Sequence, residues 1–165
     1  MNIMQIKNFG AKVNGVYYLK KGVCAAVTYS EEEKRISYMH TSGDYLGIDK
    51  FFFGVGIVDY YIFGDSQYEL ISDENFLTMF SDEKFSSEFS EYLKIYYTEL
   101  FSLSAGNDEK IIVHHLNKLA SKANNTTIKG IPEEFVKTLM IKGTFDRLVK
   151  NSKVNLEKGM YIIKK

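Results

Sequence analysis

The stretch KGTFDRLVKN, residues 142–151, spaces its polar side chains at a helical period. On a 3.6-residue turn Lys142, Thr144, Arg147 and Lys150 fall on one side. Phe145, Leu148 and Val149 fall on the other and are expected to anchor the helix in a core. Three cations and a hydroxyl beside an apolar anchor suit contact with phosphates and base edges. The same residues also suit an ordinary solvated helix face, and spacing alone leaves both open. Asn151, Thr126, Thr127, Lys129, Lys153 and Lys158 are further candidates for phosphate contacts, which position a protein on a duplex without reading it.

Other reactive side chains point away from catalysis. His114 and His115 are adjacent, and neighbours on a helix project about 100° apart, a poor arrangement for ligating one ion. His40 reads as a strand residue, and Cys24, beside Ala25 and Ala26, as a small buried hydrophobe. Asp44 sits in a Ser-Gly-Asp turn that favours aspartate without any chemistry. No nucleophile triad, phosphate loop or metal motif is present, so no enzyme activity, metal or cofactor is expected.

The chain has 165 residues, 45% hydrophobic and 25% charged, as expected of an ordinary globular protein with one or two small domains. One cysteine excludes an intrachain disulfide. No apolar run is long enough to span a membrane, the N-terminus lacks a signal-peptide core, and a cytoplasmic location is expected. The zero net charge hides an asymmetry. Residues 1–104 carry nine Lys/Arg against fifteen Asp/Glu, a balance of −6, and residues 105–165 carry twelve against six, a balance of +6. A basic second part suits a polyanionic partner.

The first seventy or so residues read as short strands. VYYL (16–19) leads into Lys20-Lys21-Gly22, a hairpin-like break, and VCAAVTY (23–29) follows. RISYMH (35–40) alternates, placing Ile36, Tyr38 and His40 on one face. IVDYYIF (57–63) and QYELI (67–71) flank a Gly64-Asp65-Ser66 turn. Helices are then expected. Ser72 caps NFLTMF, and Ser81 opens a long run whose Phe85, Phe89, Tyr92, Leu93, Tyr96 and Leu100 form one broad stripe. Asp108 is a candidate cap for the next helix. Pro132 sits in the first turn of IPEEFVKTLM, a very tight turn leads to 142–151, and LEKGMYIIKK reads as a hairpin returning over 160–163. Helix, tight turn, helix and hairpin is the layout of a winged helix-turn-helix.

VYYLKKGVCAAV and SGDYLGIDKFF together resemble the Crp/Fnr family of bacterial transcription regulators, in which a strand, a KG turn and a strand precede a GD-x-hydrophobic-G signature. The resemblance runs from about Val16 to the end of the chain. It implies an α+β protein. A jelly-roll-like β-roll sensor domain of the cyclic-nucleotide-binding type would cover residues 1–80, a linking and dimerisation helix 81–105, and a winged helix-turn-helix 106–165. It places Gly43, Asp44 and Gly47 where the roll doubles back beside its ligand pocket, and Arg147 where the family reads the major groove. The stripe from Phe85 to Leu100 is broad enough to pack on its own β-roll and also on a partner helix, and the resemblance makes it the dimer face; the alternative is that it only covers the roll. Four features depart from the pattern. Ile48-Asp49 replaces the glutamate that follows the glycine in cyclic-nucleotide binders, and no arginine lies between Arg35 and Arg147 to clamp a phosphate. The turn KTLMIKG lacks the early glycine usual there, and the chain is short before VYYLKKG.

The expectation is therefore a homodimeric, sequence-specific regulator that binds double-stranded DNA without cyclic-nucleotide dependence, with room for an unidentified small-molecule effector and no membrane partner. The alternative is a ligand-sensing or protein-interaction module whose helix-turn-helix no longer binds DNA.

Overall fold

The computed structural model describes residues 2–8, 10, 15–29, 33–121 and 128–164. Five strands form one antiparallel sheet: β1 (Ile3–Ile6), β2 (Val16–Tyr29), β3 (Lys34–Thr41), β4 (Tyr45–Leu46) and β5 (Asp59–Ile71). The order is β1-β5-β2-β3, with β4 also paired to β2. Neither β1 nor the short helix α1 (Asp49–Phe53) is legible from periodicity.

Lys20-Lys21-Gly22 does not end a strand, and Gly64-Asp65-Ser66 is not a turn. Both lie inside continuous strands, opposite each other. The register passes from Lys21↔Gln67 to Val23↔Phe63, so three residues of β5 face the single residue Gly22 of β2. Such an irregularity bends both strands without breaking the ladder. Ser66 replaces the lost backbone bonds: its Oγ accepts from the Val23 amide at 3.2 Å and donates to the Phe63 carbonyl. Gly22 has φ +111, and a Cβ there would collide with Ser66. The glycine is thus required by conformation and by space.

A second irregularity corrects the facing of β3. The register steps from Ala26↔Tyr38 to Val27↔Ile36, skipping Ser37, whose hydroxyl bonds the Ala26 carbonyl at 3.1 Å. Ile36 therefore packs on the opposite side of the sheet from Tyr38 and His40.

Helices α2 (Asp73–Met79), α3 (Glu83–Ser104) and α4 (Asp108–Ser121) follow the sheet. Ser72 caps α2 by accepting from the Asn75 amide. Asp82 caps α3 by accepting from the Phe85 amide at 2.7 Å, and the cap of α4 lies one residue from the one expected: Asn107, not Asp108, accepts from the Lys110 amide at 3.0 Å. The remaining elements are β6 (Ile131–Pro132), α5 (Glu133–Thr138), α6 (Lys142–Lys150), β7 (Val154–Glu157) and β8 (Met160–Ile163), the three strands forming a small sheet in the order β6-β8-β7. Pro132 caps α5 rather than occupying its first turn, because it belongs to β6, where its φ of −62° and ψ of 135° fit an extended chain.

The large sheet is buried on both faces. Val23, Ala25, Val27, Ile36, Met39, Tyr61 and Phe63 share one cluster with Ile112, Leu116 and Leu119 of α4 and with Phe135, Phe145, Leu148 and Tyr161 beyond it. Cys24, Ala26, Tyr38, Tyr60 and Ile62 on the other face meet Tyr96 and Leu100 of α3. Burial pushes the Cys24 thiol pKa up, keeping it protonated. Because the first cluster joins the sheet to the C-terminal helices, Leu116→Ala should cost about 2–5 kcal/mol. Urea unfolding followed by tyrosine fluorescence and by far-UV circular dichroism should shift together; two separated transitions would show the halves to be independent.

Candidate nucleic-acid interface

The α5–α6 pair is built around a turn that closes on itself. The amides of Leu139 and Ile141 bond the Phe135 and Val136 carbonyls, and the Thr144 amide bonds the Ile141 carbonyl at 3.2 Å. Met140 adopts φ 61 in this turn and its side chain is 87% exposed. It stands in the left-handed region where glycine costs nothing. Phe145 and Leu148 are fully buried, Phe145 against the Tyr161 ring at 4.6 Å. Val149 is not an anchor: it is 38% exposed, since the small sheet supplies Val154 and Tyr161 instead.

The opposite side of α6 is open. Lys142, Arg147 and Lys150 are exposed and Thr144 is half-buried. Asn151 caps the helix, its amide bonding the Arg147 carbonyl at 2.9 Å. Lys129, Lys153 and Lys158 are also exposed, Lys158 in the β7–β8 turn with φ 49. Thr126 and Thr127 lie outside the described residues. Interactions gather three of these residues. Arg147 Nη2 donates to Thr144 Oγ1 at 3.2 Å and Nε to Glu109 Oε1 at 3.1 Å, while Lys153 Nζ is 3.8 Å from Glu109 Oε2. Glu109, in the first turn of α4, was invisible to periodicity because its partner lies 38 positions away. A cleft of about 450 Å³ separates Thr144 and Arg147 from Tyr29, Glu33 and Lys34 at the sheet end.

The stripe of α3 lies on its own sheet. Phe85, Phe89, Tyr92 and Leu93 pack around Val16, Ile48 and Phe76, and Tyr96 and Leu100 around Tyr38 and Cys24. The apolar residues α3 leaves in solvent are Ile95 and Phe101, the latter 70% exposed. Tyr97 joins Phe101 to the exposed Phe52 of α1, with ring separations of 6.3 and 5.8 Å.

The Gly-Asp turn is held from both sides. Gly43 and Gly47 have φ of 97 and 83, and the Gly43 amide bonds the Leu19 carbonyl at 2.8 Å. The Gly47 amide donates to the Tyr60 hydroxyl at 2.9 Å, which in turn donates to Asp49. Asp49 also accepts from the Ile57 amide at 2.6 Å, and adjacent Lys50 Nζ bonds the Gly15 carbonyl at 2.7 Å. The Ile48-Asp49 departure thus puts this carboxylate to internal structural use.

Beside the turn, Tyr38, Asp44, Tyr92, Tyr96, Glu99 and Lys118 line a cavity of about 600 Å³ between β3, α3 and α4. Glu99 is its hub. The Tyr38 hydroxyl donates to it, His114 Nε2 lies 2.8 Å away, and Lys118 Nζ donates at 3.1 Å while sitting 3.9 Å from the Tyr38 ring centroid. Burial works to raise the Glu99 pKa, but the Tyr38 and His114 contacts and the Lys118 charge outweigh it and hold it at about 2. Burial also raises the Asp44 pKa, and His40 and the Thr41 amide turn the net shift downward. Burial pushes His115 down to about 3, so it stays neutral, whereas His114 faces Glu99; the two imidazoles occupy different environments. Among the described residues, no group of three or more His, Cys, Asp or Glu side chains is arranged to hold a metal. No helix of the described residues is long and apolar enough to cross a membrane.

A folded-state pKa below the ordinary carboxylate value stabilises above that ordinary value and is lost as pH falls through the lowered one. The Glu99 contribution should therefore be complete above about pH 4.5 and fade toward about pH 2. Urea midpoints across that window should fall less for Glu99→Gln than for the wild type; equal falls would mean that Glu99 carries none of the acid sensitivity.

No family model and no curated protein matches the sequence. Solved structures do. The c-di-GMP responsive global regulator CLP of Xanthomonas campestris superimposes with a TM-score of 0.61 at 11% identity, over 99% of this chain and 94% of that one. A CRP-family transcriptional regulator from Thermus thermophilus gives 0.62 at 11% identity, over 100% and 92%. A protein from Eubacterium rectale described as a Crp/Fnr-family transcriptional regulator gives 0.59 at 14% identity, over 99% and 86%. The chain has the fold of the Crp/Fnr regulators, as the resemblance in its sequence implied.

Proposed function

We propose that this chain is a DNA-binding transcription regulator of the Crp/Fnr type, acting in the cytoplasm as a homodimer and independent of cyclic nucleotides. The reading divides the chain into a sensor sheet, a linking helix and a winged helix-turn-helix at the boundaries expected from sequence. One observation carries it: α6 is pinned by the fully buried Phe145 and Leu148 while presenting Lys142, Thr144, Arg147 and Lys150 outward, with the β7–β8 hairpin beside it. A rigidly anchored helix with an open basic face can enter a major groove as a unit, which a loop bearing the same cations cannot. Two such helices in a symmetric dimer would meet half-sites about one helical turn, roughly 34 Å, apart.

Independence from cyclic nucleotides is supported by the absence of any arginine between Arg35 and Arg147 and by the internal use of Asp49. Phosphate held without a guanidinium fork loses its strongest side-chain clamp. The cavity around Tyr38, Tyr96 and Glu99 has room for a small effector and touches β3, α3 and α4 together. For self-association, the exposed Phe52, Ile95 and Phe101 are better placed than the Phe85–Leu100 stripe, which is occupied by the sheet. One observation favours the second reading, an interaction module without DNA binding: Arg147 is already engaged by Glu109. An exposed pair of this kind is worth at most about 1 kcal/mol, so phosphates or bases can compete with it.

Two experiments test the proposal. A duplex selected by the wild-type protein from a randomised library should bind preferentially over a random duplex, with affinity falling steeply as salt rises. Arg147→Ala should then lose about 1–3 kcal/mol at one base pair; unchanged affinity and preference would remove α6 as the reading helix. Light scattering should give the dimer mass for the wild type and the monomer mass for Phe101→Glu, and a monomeric wild type at micromolar concentration would sink the dimer.

A further inference from the structure

We infer that Glu109 is a positioning residue for sequence readout: it presets the Arg147 guanidinium and ties the recognition helix to the wing. The inference rests on the DNA-binding reading above. The Glu109 carboxylate spans two elements, with Oε1 accepting from Arg147 Nε at 3.1 Å and Oε2 lying 3.8 Å from Lys153 Nζ. Lys153 immediately precedes β7, the first strand of the hairpin, and its amide is bonded to the Leu148 carbonyl of α6 at 3.0 Å. Glu109 itself rises from α4, whose neighbouring Ile111 and Ile112 are buried, so its backbone is fixed by the core.

The arrangement leaves Arg147 oriented but not used up. A guanidinium has five N–H donors; the Nε donor goes to Glu109 and one on Nη2 goes to Thr144. Three remain on Nη1 and Nη2, enough for the two-point contact with guanine O6 and N7. An unrestrained arginine on a surface helix samples many rotamers, and fixing one before binding reduces the ordering cost of the contact. The negative charge has a second effect. It offsets Arg147 and Lys153 where phosphates would otherwise be attracted without regard to sequence, so it suppresses non-specific binding.

These two effects give opposite signs that a purely structural role would not produce. In Glu109→Ala, affinity for the library-selected duplex should drop several-fold while affinity for a random duplex rises. The ratio between them should shrink by about fivefold, one bidentate contact's lower share of discrimination. The salt slope on random DNA should steepen as Arg147 and Lys153 become available to phosphates. Glu109→Gln should restore part of the sequence preference through its amide oxygen but keep the higher non-specific affinity, and the melting temperatures of both variants should stay near the wild type. An unchanged ratio in a well-folded Glu109→Ala, or an equal loss on both duplexes, overturns the assignment while leaving the regulator reading in place. A wild-type protein that prefers no duplex at any salt overturns the regulator reading and this inference with it.

Discussion

Strand β2 is the constraint on which the rest of the molecule depends. It contributes to every hydrophobic cluster: Val16 to the one around Phe76 and Phe89, Leu19, Cys24 and Ala26 to the one under α3, and Val23, Ala25 and Val27 to the one shared with the C-terminal helices. A strand buried on both faces must be apolar without interruption, and the run VCAAV is. Its small residues also let α3 and the α4–α6 unit approach the sheet from opposite sides. The bend at Gly22, matched by Ser66 on β5, lets one strand serve more than one layer.

Packing of this kind makes the sheet a mechanical partner of the basic helices rather than a tethered neighbour. Arg35 at the start of β3 donates to the Gly106 carbonyl at 2.7 Å and pairs with Asp108, clasping the α3–α4 junction. Glu99 draws Tyr38 of β3 and Lys118 of α4 onto α3. An occupant of the cavity there would touch all three elements, so differential contacts could bias how α4 and the α6 it supports are held. The charge imbalance between the two parts of the chain is drawn on by one of these contacts, Glu99 of the acidic part holding Lys118 of the basic part, while Asp108 and Glu109 hold Arg35 and Arg147 of other elements.

The order of the helices from α2 to α6 was legible because it rests on local chemistry. Periodicity at Phe85, Phe89 and Tyr96 marks α3, Ser72 marks the start of α2, and the Phe145–Leu148 spacing marks α6. The short hairpin followed from Lys158-Gly159 between two apolar runs. The two misread turns share one cause. Gly22 and Gly64-Asp65-Ser66 carry turn composition, but a bulge uses the same residues as a turn, and only a partner strand distinguishes the two. Ser37 likewise looks like one more alternating position until β2 skips it, and that skip reverses the face of Ile36.

The candidate site divides in the same way. The sequence by itself determined which residues could contact a polyanion, because exposure of Lys142, Arg147 and Lys150 follows from their spacing against Phe145 and Leu148. It also determined that no arginine lies between Arg35 and Arg147. Only the tertiary structure decided that Arg147 meets Glu109 across 38 positions, that Val149 is left in solvent, and that the α3 stripe is taken by its own sheet. Spacing along one element specifies which side a residue occupies. What stands opposite depends on how separate elements pack, and no local pattern encodes it.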